Sequence, residues 1–416
     1  MLPRLLLILG SSILPFTCGT HFFYESPIVL SRAGTSIGNF SVKAEIPNFE
    51  TNEVFPVDTN EVFVSERPTL SQDENEAFQP VFSEEIDKFF KELRRKKEFS
   101  GSVLIAQQGQ IVHTGAYGYG NERTRQKLTT ESAFQLASVS KTITATAILL
   151  LHQDGVLDID DKVIYHIPEF PYEDLTIRHL LNHRSGLQRY MGLMHKSWDK
   201  RFFLKNEDVL DYYITHKPRL FFEPDSKFNY NNTNYVMLAA IVEYLTAKPF
   251  AEFLKERIFD PLGMNSTYLC NYIEQSEKDN HTIGYKRARR GYKPAGGDYL
   301  DGAFGDKGIY STVMDMYRFD RGLNNPDFIK PELIALASTP NSPELENYNY
   351  GLGWRMKPFY PDLIYHFGWW KGYRTCFIRD LQADTTVIVL CNRDNEKNPF
   401  NFWYVYQYIN GWVKIS

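Results

Sequence analysis

The chain reads as an α+β protein, with one antiparallel sheet drawn from both chain ends, helices flanking it, and a mostly helical lobe inserted between. Three observations predict this. A helix followed by two paired apolar runs opens the ordered region near residue 83, and two paired apolar runs followed by a helix close the chain. The long stretch between them is dominated by helix-period patterning.

In "SEEIDKFFKELRRKKEFSG", Ser83 is suited to cap a helix, with Glu84 and Glu85 in the first turn and Arg94 to Lys97 in the last. Charges so placed complement the helix dipole at both ends. Ile86, Phe89, Phe90 and Leu93 share one face, so this helix packs against something large. "GSVLIAQQGQIVHTGAYGYGN" follows, two apolar runs around a Gly109 turn, which predicts a β-hairpin. "YRTCFIRD" and "TTVIVLCNRD" predict a second hairpin, and "PFNFWYVYQYINGWV" a closing helix. Cys376 and Cys391 fall at nearly opposite positions of that second hairpin, either bridged or as two small buried thiols.

Hydrophobic residues at 43% and charged residues at 23% suit a globular protein with a sizeable core, not a disordered chain. A net charge of −5 over 416 residues gives no electrostatic case for nucleic acid. The two basic runs, "RRKK" from Arg94 and "KRARR" from Lys286, read as solvated surface.

Arg4 followed by the apolar run Leu5 to Leu14 has the form of an export signal and is too short to span a bilayer. Residues 1–19 are therefore read as a signal peptide. The product would be secreted, periplasmic, or held on the outer side of a membrane by a lipid anchor at Cys18. Residues 20–82 lack a sustained helical period and are read as a tether or surface arm. Their near-repeat, "TNEVFPV" and "TNEVFVS", has too few copies for a solenoid. "GTSIG" at 34–38 lacks the strand and helix a nucleophile elbow requires.

The chemistry concentrates in "FQLASVSKTITATAILLL", where a helix from about Ser138 to Gln153 stops at Gly155. Ser138 and Lys141, three apart, share a face with Cβ atoms about 5–6 Å apart. Ser140 points roughly 100° away around the axis. Ser138 is therefore the nucleophile of this stretch, and its place at a helix start offers free N–H groups to a developing oxyanion. An unperturbed lysine, with a pKa of about 10.4, is almost wholly protonated at pH 7. A lysine acting as base must be desolvated or sit among cations or donors.

Downstream stand Tyr230-Asn231-Asn232, ahead of an amphipathic helix, and His366-Phe367-Gly368, ahead of the last hairpin. S-x-x-K, Y-x-N and H-x-G in this order resemble the serine β-lactamase and penicillin-binding protein superfamily, in its class C-like branch of β-lactamases, D-alanyl carboxypeptidases and esterases. "LTIRHLLNHRSGL", "GDKGIYSTVMDMYRF" and "GLGW" resemble it as well. The resemblance implies a β-lactamase-like domain over 83–416, with a sheet lobe from about 83–135 and 300–416 and a helical lobe over about 136–299. It implies that Lys141 and Tyr230 relay the proton of Ser138 and that Asn232 binds a substrate amide and holds Lys141. It further implies that His366 stands for the third-motif lysine, that Gly368 allows close backbone approach, and that the Trp369 N–H is the second oxyanion donor.

The implied activity is an acyl-enzyme hydrolase for an ester or amide of a small or peptide-like substrate, including fragments of peptidoglycan, without cofactor or metal. A catalytically idle module binding peptidoglycan or a partner is the alternative. His366 in place of lysine removes a permanent cation, for which Arg374 is a candidate replacement, and Trp369 and Trp370 narrow the site. Both departures point away from a dedicated β-lactamase and toward an esterase, peptidase or amidase. His179 and His183 are read as structural, since Leu180 stands where a zinc protease needs Glu. The N-x-S/T sequons at Asn39, Asn231, Asn265 and Asn280 are read as chance.

Overall fold

A computed structural model of the chain describes residues 72–345, 348–357, 360–394 and 401–410. The export segment with Cys18, the greater part of the 20–82 arm and "GTSIG" lie outside the described residues.

The seven strands of the main sheet are β1 (Gly101–Gln107), β2 (Gln110–Tyr117), β3 (Asn349–Tyr350), β4 (Arg355–Lys357), β5 (Tyr360–Trp370), β6 (Tyr373–Asp380) and β7 (Thr385–Cys391). They run β3-β4-β5-β6-β7-β1-β2, every neighbouring pair antiparallel. The joint between the chain ends is β1 against β7, in register from Gly101↔Cys391 to Gln107↔Thr385. Both hairpins expected from the sequence form. The turn of the first places Gln108 and Gly109 at positive φ, which matches the twist of the flanking strands.

The central strands β1, β6 and β7 are buried on both faces, and their side chains alternate between two cores. Val103, Ile105, Ile378, Val387 and Val389 face one core, shared with α1 (Gln72–Arg95) and α5 (Phe402–Ile409). Leu104, Phe377, Ile388 and Leu390 face the other, shared with the helical lobe. Ile86 and Phe90 of α1 are fully buried, with Phe89 and Leu93 packed beside them, as the periodicity required.

Two local expectations are revised. The first helix begins at Gln72, eleven residues before Ser83, so the last part of the stretch read as an arm is helical. Cys376 pairs with Val389 and Cys391 with Arg374, so the thiols are offset by two residues, and both are free and buried. Burial pushes both thiols up.

Of three further helices, α2 (Ser140–Gln153) and α3 (Asn232–Thr246) pack together and α4 (Val313–Leu323) packs on β7 and β1. Among the described residues no helix is long and apolar enough to cross a membrane.

Candidate active site

Ser138 lies in a 3-10 turn, Ala137–Val139, immediately ahead of α2. Ala137 enters that turn at φ +50°, a left-handed conformation costly for a residue with a Cβ. The strain lifts one side chain out. From Ser132 to Leu151 every residue is buried except Ser138. Ser140 is fully buried and its Oγ has no hydrogen-bond partner. Access, like helical phase, thus separates the two serines.

Lys141 is fully buried, its Nζ donating to Ser138 Oγ at 3.1 Å and to the Asp306 carbonyl at 2.9 Å. The Asp306 peptide is held in turn. Thr144 of α2 donates to the Gly305 carbonyl at 2.8 Å, and the Asp306 carboxylate takes Tyr190 Oη at 3.1 Å and Lys307 Nζ at 3.4 Å. Lys307 also donates to Tyr190 Oη at 2.9 Å. Asp306, Lys307 and Tyr190 are all buried, so one ionic cluster underlies the carbonyl that anchors Lys141. None of the three was singled out from the sequence. Asp306 and Lys307 stand in "GDKG", within a stretch that resembles the family, and Tyr190 stands in none of the motifs.

Tyr230 presents its ring to Lys141, with Nζ 5.1 Å from the centroid. Its buried hydroxyl has no hydrogen-bond partner among the described residues, so it stands beside the serine–lysine pair without bonding to it. Arg355 of β4 lies over the same ring at 4.7 Å. The phenol is thus flanked by the Lys141 amine and the Arg355 guanidinium, the second of which belongs to none of the motifs read in the sequence. Asn231 caps α3, accepting from the Thr233 N–H at 3.0 Å and donating to the Leu187 carbonyl at 2.7 Å. This holds the Tyr230–Asn232 segment, with Asn232 half-buried at the first position of α3. Asn231 is buried, so its sequon is inaccessible.

His183 completes that support. Its Nδ1 accepts from the Asn231 N–H at 3.2 Å and its ring packs 4.3 Å from that of Tyr230. Burial, reinforced by the charges of Lys141 and Arg355, holds its pKa well below the ordinary value. His179 accepts from the Thr176 N–H within a helix cap. Among the described residues no cluster of side chains could hold a metal ion.

His366 is fully buried, between the Phe367 carbonyl (Nδ1, 2.8 Å) and Tyr350 Oη (Nε2, 3.1 Å). A carbonyl can only accept, so Nδ1 carries the proton and Nε2 takes the tyrosine hydroxyl. Burial, with Arg355 and Lys141 nearby, pushes its pKa well down. The ring is neutral at ordinary pH. Arg374 does not replace the missing cation either. It is paired at 2.7 Å with the buried Asp394 and stacked over Trp369 at 5.3 Å. The cation nearest Tyr230 on the sheet side is Arg355.

Gly368 is where the sheet meets the serine turn. A Cβ there would lie 2.2 Å from the Leu136 carbonyl and 3.0 Å from the Ala137 Cβ. β4 pairs with β5 only as far as Tyr365, so residues 366–370 carry no strand on that side. Trp369 follows on this open edge, its indole N–H donating to Asp394 at 2.5 Å. Trp370 donates to Asp301 at 2.8 Å and has Lys307 over its ring at 5.2 Å.

The arrangement is a partly exposed hydroxyl bonded to a buried amine, a nearby unbonded phenol, and an open strand edge beside them. It can deliver an oxygen nucleophile to a carbonyl and move a proton.

The Beta-lactamase family model matches residues 86–408. "Penicillin-binding protein 4*" of Bacillus subtilis (strain 168) is 36% identical over 324 residues, 75% of this chain and 72% of that protein. "Teichoic acid D-alanine hydrolase" of Staphylococcus aureus is 26% identical over 306 residues, 72% of each. The crystal structure of a penicillin-binding protein from Bacillus halodurans matches with a TM-score of 0.67 and 22% identity, covering 78% of this chain and 99% of that one. In fold and in sequence over most of its described length, the chain belongs to the beta-lactamase family.

Proposed function

We propose that this protein is an exported serine hydrolase that works through an acyl-enzyme on an ester or amide of a small or peptide-like substrate. Ser138 attacks the substrate carbonyl. Lys141 accepts the Oγ proton and, with Tyr230, returns it to the leaving group; the same pair then activates the water that releases the acyl group. Asn232 receives the substrate amide. The amides of Ser138 and Trp369 take the oxyanion, the first because N–H groups in an opening helical turn have no intrahelical acceptor. Gly368 keeps β5 close enough for that pairing. His366 acts as a neutral scaffold for Tyr350 in place of a carboxylate-binding cation, which favours an esterase, D-amino-acid peptidase or amidase over a dedicated β-lactamase. The D-alanine-removing relative supports such a substrate class, including peptidoglycan-derived stems. The N-terminal apolar run supports secretion, or retention outside a membrane through Cys18.

The observation that carries this reading is the 3.1 Å bond between Lys141 Nζ and the one accessible side chain of its turn. The test is a panel of acyl esters and D- and L-amino-acid amides, turned over by wild type and by Ser138→Ala. Turnover of at least one member that vanishes in the variant supports the hydrolase. Binding of peptidoglycan fragments without turnover of any would instead make the chain an idle binding module.

A further inference from the structure

The two basic runs that look unrelated in sequence are neighbours in the fold. Lys97, at the end of α1, offers its carbonyl to Tyr292 Oη at 3.4 Å and to Arg393 Nη1 at 3.2 Å. Tyr292 belongs to a short hairpin, Tyr285–Arg287 with Tyr292–Pro294, and Arg393 lies 4.3 Å over its ring. A third segment joins through Tyr119, whose ring carries Arg94 at 5.1 Å and Arg125 at 5.7 Å. Glu122 of that segment pairs with both Arg94 and Arg393. Three pieces of chain, up to about 200 positions apart, therefore build one face.

The charge on this face is one-sided. Lys97 is exposed beside Arg95 and Lys96, which Glu92 neutralises in part. Arg123, Arg125 and Lys127 are exposed on the second segment, and Arg287, Arg289, Arg290 and Lys293 on the hairpin. Among the described residues none of these last seven, nor Lys97, forms an ion pair. Eight unneutralised cations on a chain of net charge −5 are a marked asymmetry. Half-buried Tyr119 and Tyr292 lie among them, aromatic rings of the kind that settle at a bilayer interface.

We propose that this face docks the protein on an anionic phospholipid surface. Each exposed Lys or Arg beside an anionic lipid surface favours partition by about fivefold, so several unpaired cations on one face suffice to hold the chain there. The hairpin adjoins the cleft rim, since its strand Tyr285–Arg287 pairs with Arg393–Asp394, and Asp394 holds the indole of Trp369. Docking therefore sets the cleft beside the lipid surface.

The test is co-sedimentation of the full chain with vesicles of phosphatidylglycerol and phosphatidylcholine mixed equally, and of phosphatidylcholine alone. The neutral vesicles measure attachment that does not depend on lipid charge. Partition onto the anionic vesicles should be the stronger and should fall steeply between 0.05 and about 0.5 M salt. Neutralising three tips together, by Arg289→Ser, Arg290→Ser and Lys293→Ser, should weaken it by about fivefold per cation removed, roughly a hundredfold in all. The variant's thermal midpoint should match wild type. Equal partition onto both vesicles, or an unchanged partition of the triple variant, would overturn the proposal. So would tight binding of soluble polyphosphate with no preference for anionic vesicles, which would make the face a polymer site.

Discussion

Replacing Gly368 by Ala tests how the sheet builds the cleft. The added Cβ would sit 2.2 Å from the Leu136 carbonyl and 2.2 Å from Thr375 Oγ1, where ordinary carbon–oxygen contact is roughly 3.3 Å. Relief requires a shift of roughly 1 Å between β5 and the turn bearing Ser138. Thr375 cannot simply turn away, because its hydroxyl bonds the same Leu136 carbonyl at 2.6 Å. Overpacking of this kind costs about 1–3 kcal/mol of stability. A displacement of about 1 Å between nucleophile and oxyanion donor costs about a hundredfold in rate. The assay is kcat/KM on an activated ester alongside thermal unfolding. The expected result is a hundredfold loss of kcat/KM in a protein still folded at the assay temperature. Gly192→Ala is the control, since Gly192 is exposed with nothing within 4 Å of a Cβ, and its rate should match wild type. A Gly368→Ala enzyme within threefold of wild type would show that this approach does not shape the reacting geometry.

Tyr190→Phe removes the hydroxyl that joins Asp306 to Lys307 and should cost about 1–3 kcal/mol for the polar groups left without it. Because the Asp306 carbonyl anchors Lys141, kcat should fall about tenfold or more with KM nearly unchanged, a split that steady-state kinetics resolves. Acid stability should bear the mark of His113, buried between Ser83 and Tyr117, whose pKa burial lowers to about 4. Below about pH 6.5 the unfolded chain takes a proton that the folded chain refuses. Stability therefore falls from that pH down to about 4, by roughly 3 kcal/mol at most. Urea unfolding of His113→Gln should show a correspondingly flatter acid limb.

Much of the fold was legible because its signals are local. The paired apolar runs around Gly109, and "YRTCFIRD" with "TTVIVLCNRD", became β1–β2 and β6–β7, and the phase of Ser138 and Lys141 became a hydrogen bond. The start of α1 was not legible, since Ser83 reads as a cap in a helix that continues upstream to Gln72. The supporting groups were hidden for another reason. Asp306, Lys307, Tyr190 and Arg355 reach the cleft from segments with no periodic relation to the motifs, and only the tertiary fold assembles them. His366 is a subtler case. Its place in H-x-G shows the loss of a permanent cation and leaves its own charge dependent on pH, whereas complete burial against Tyr350 makes it a neutral support. The basic runs are solvated, as their sequence implies; that they share one face is set by Tyr292 and Arg393, which no local pattern relates to either run.

Site mapping of a covalent adduct tests the central claim most directly. After exposure to a fluorophosphonate or penicillin-like acylating probe, wild type should gain one adduct by intact mass, and peptide mapping should place it on Ser138. Ser140→Ala should retain that adduct, while Ser138→Ala and Lys141→Met should lose it. An adduct on Ser140, or one that persists in Ser138→Ala, would contradict the account.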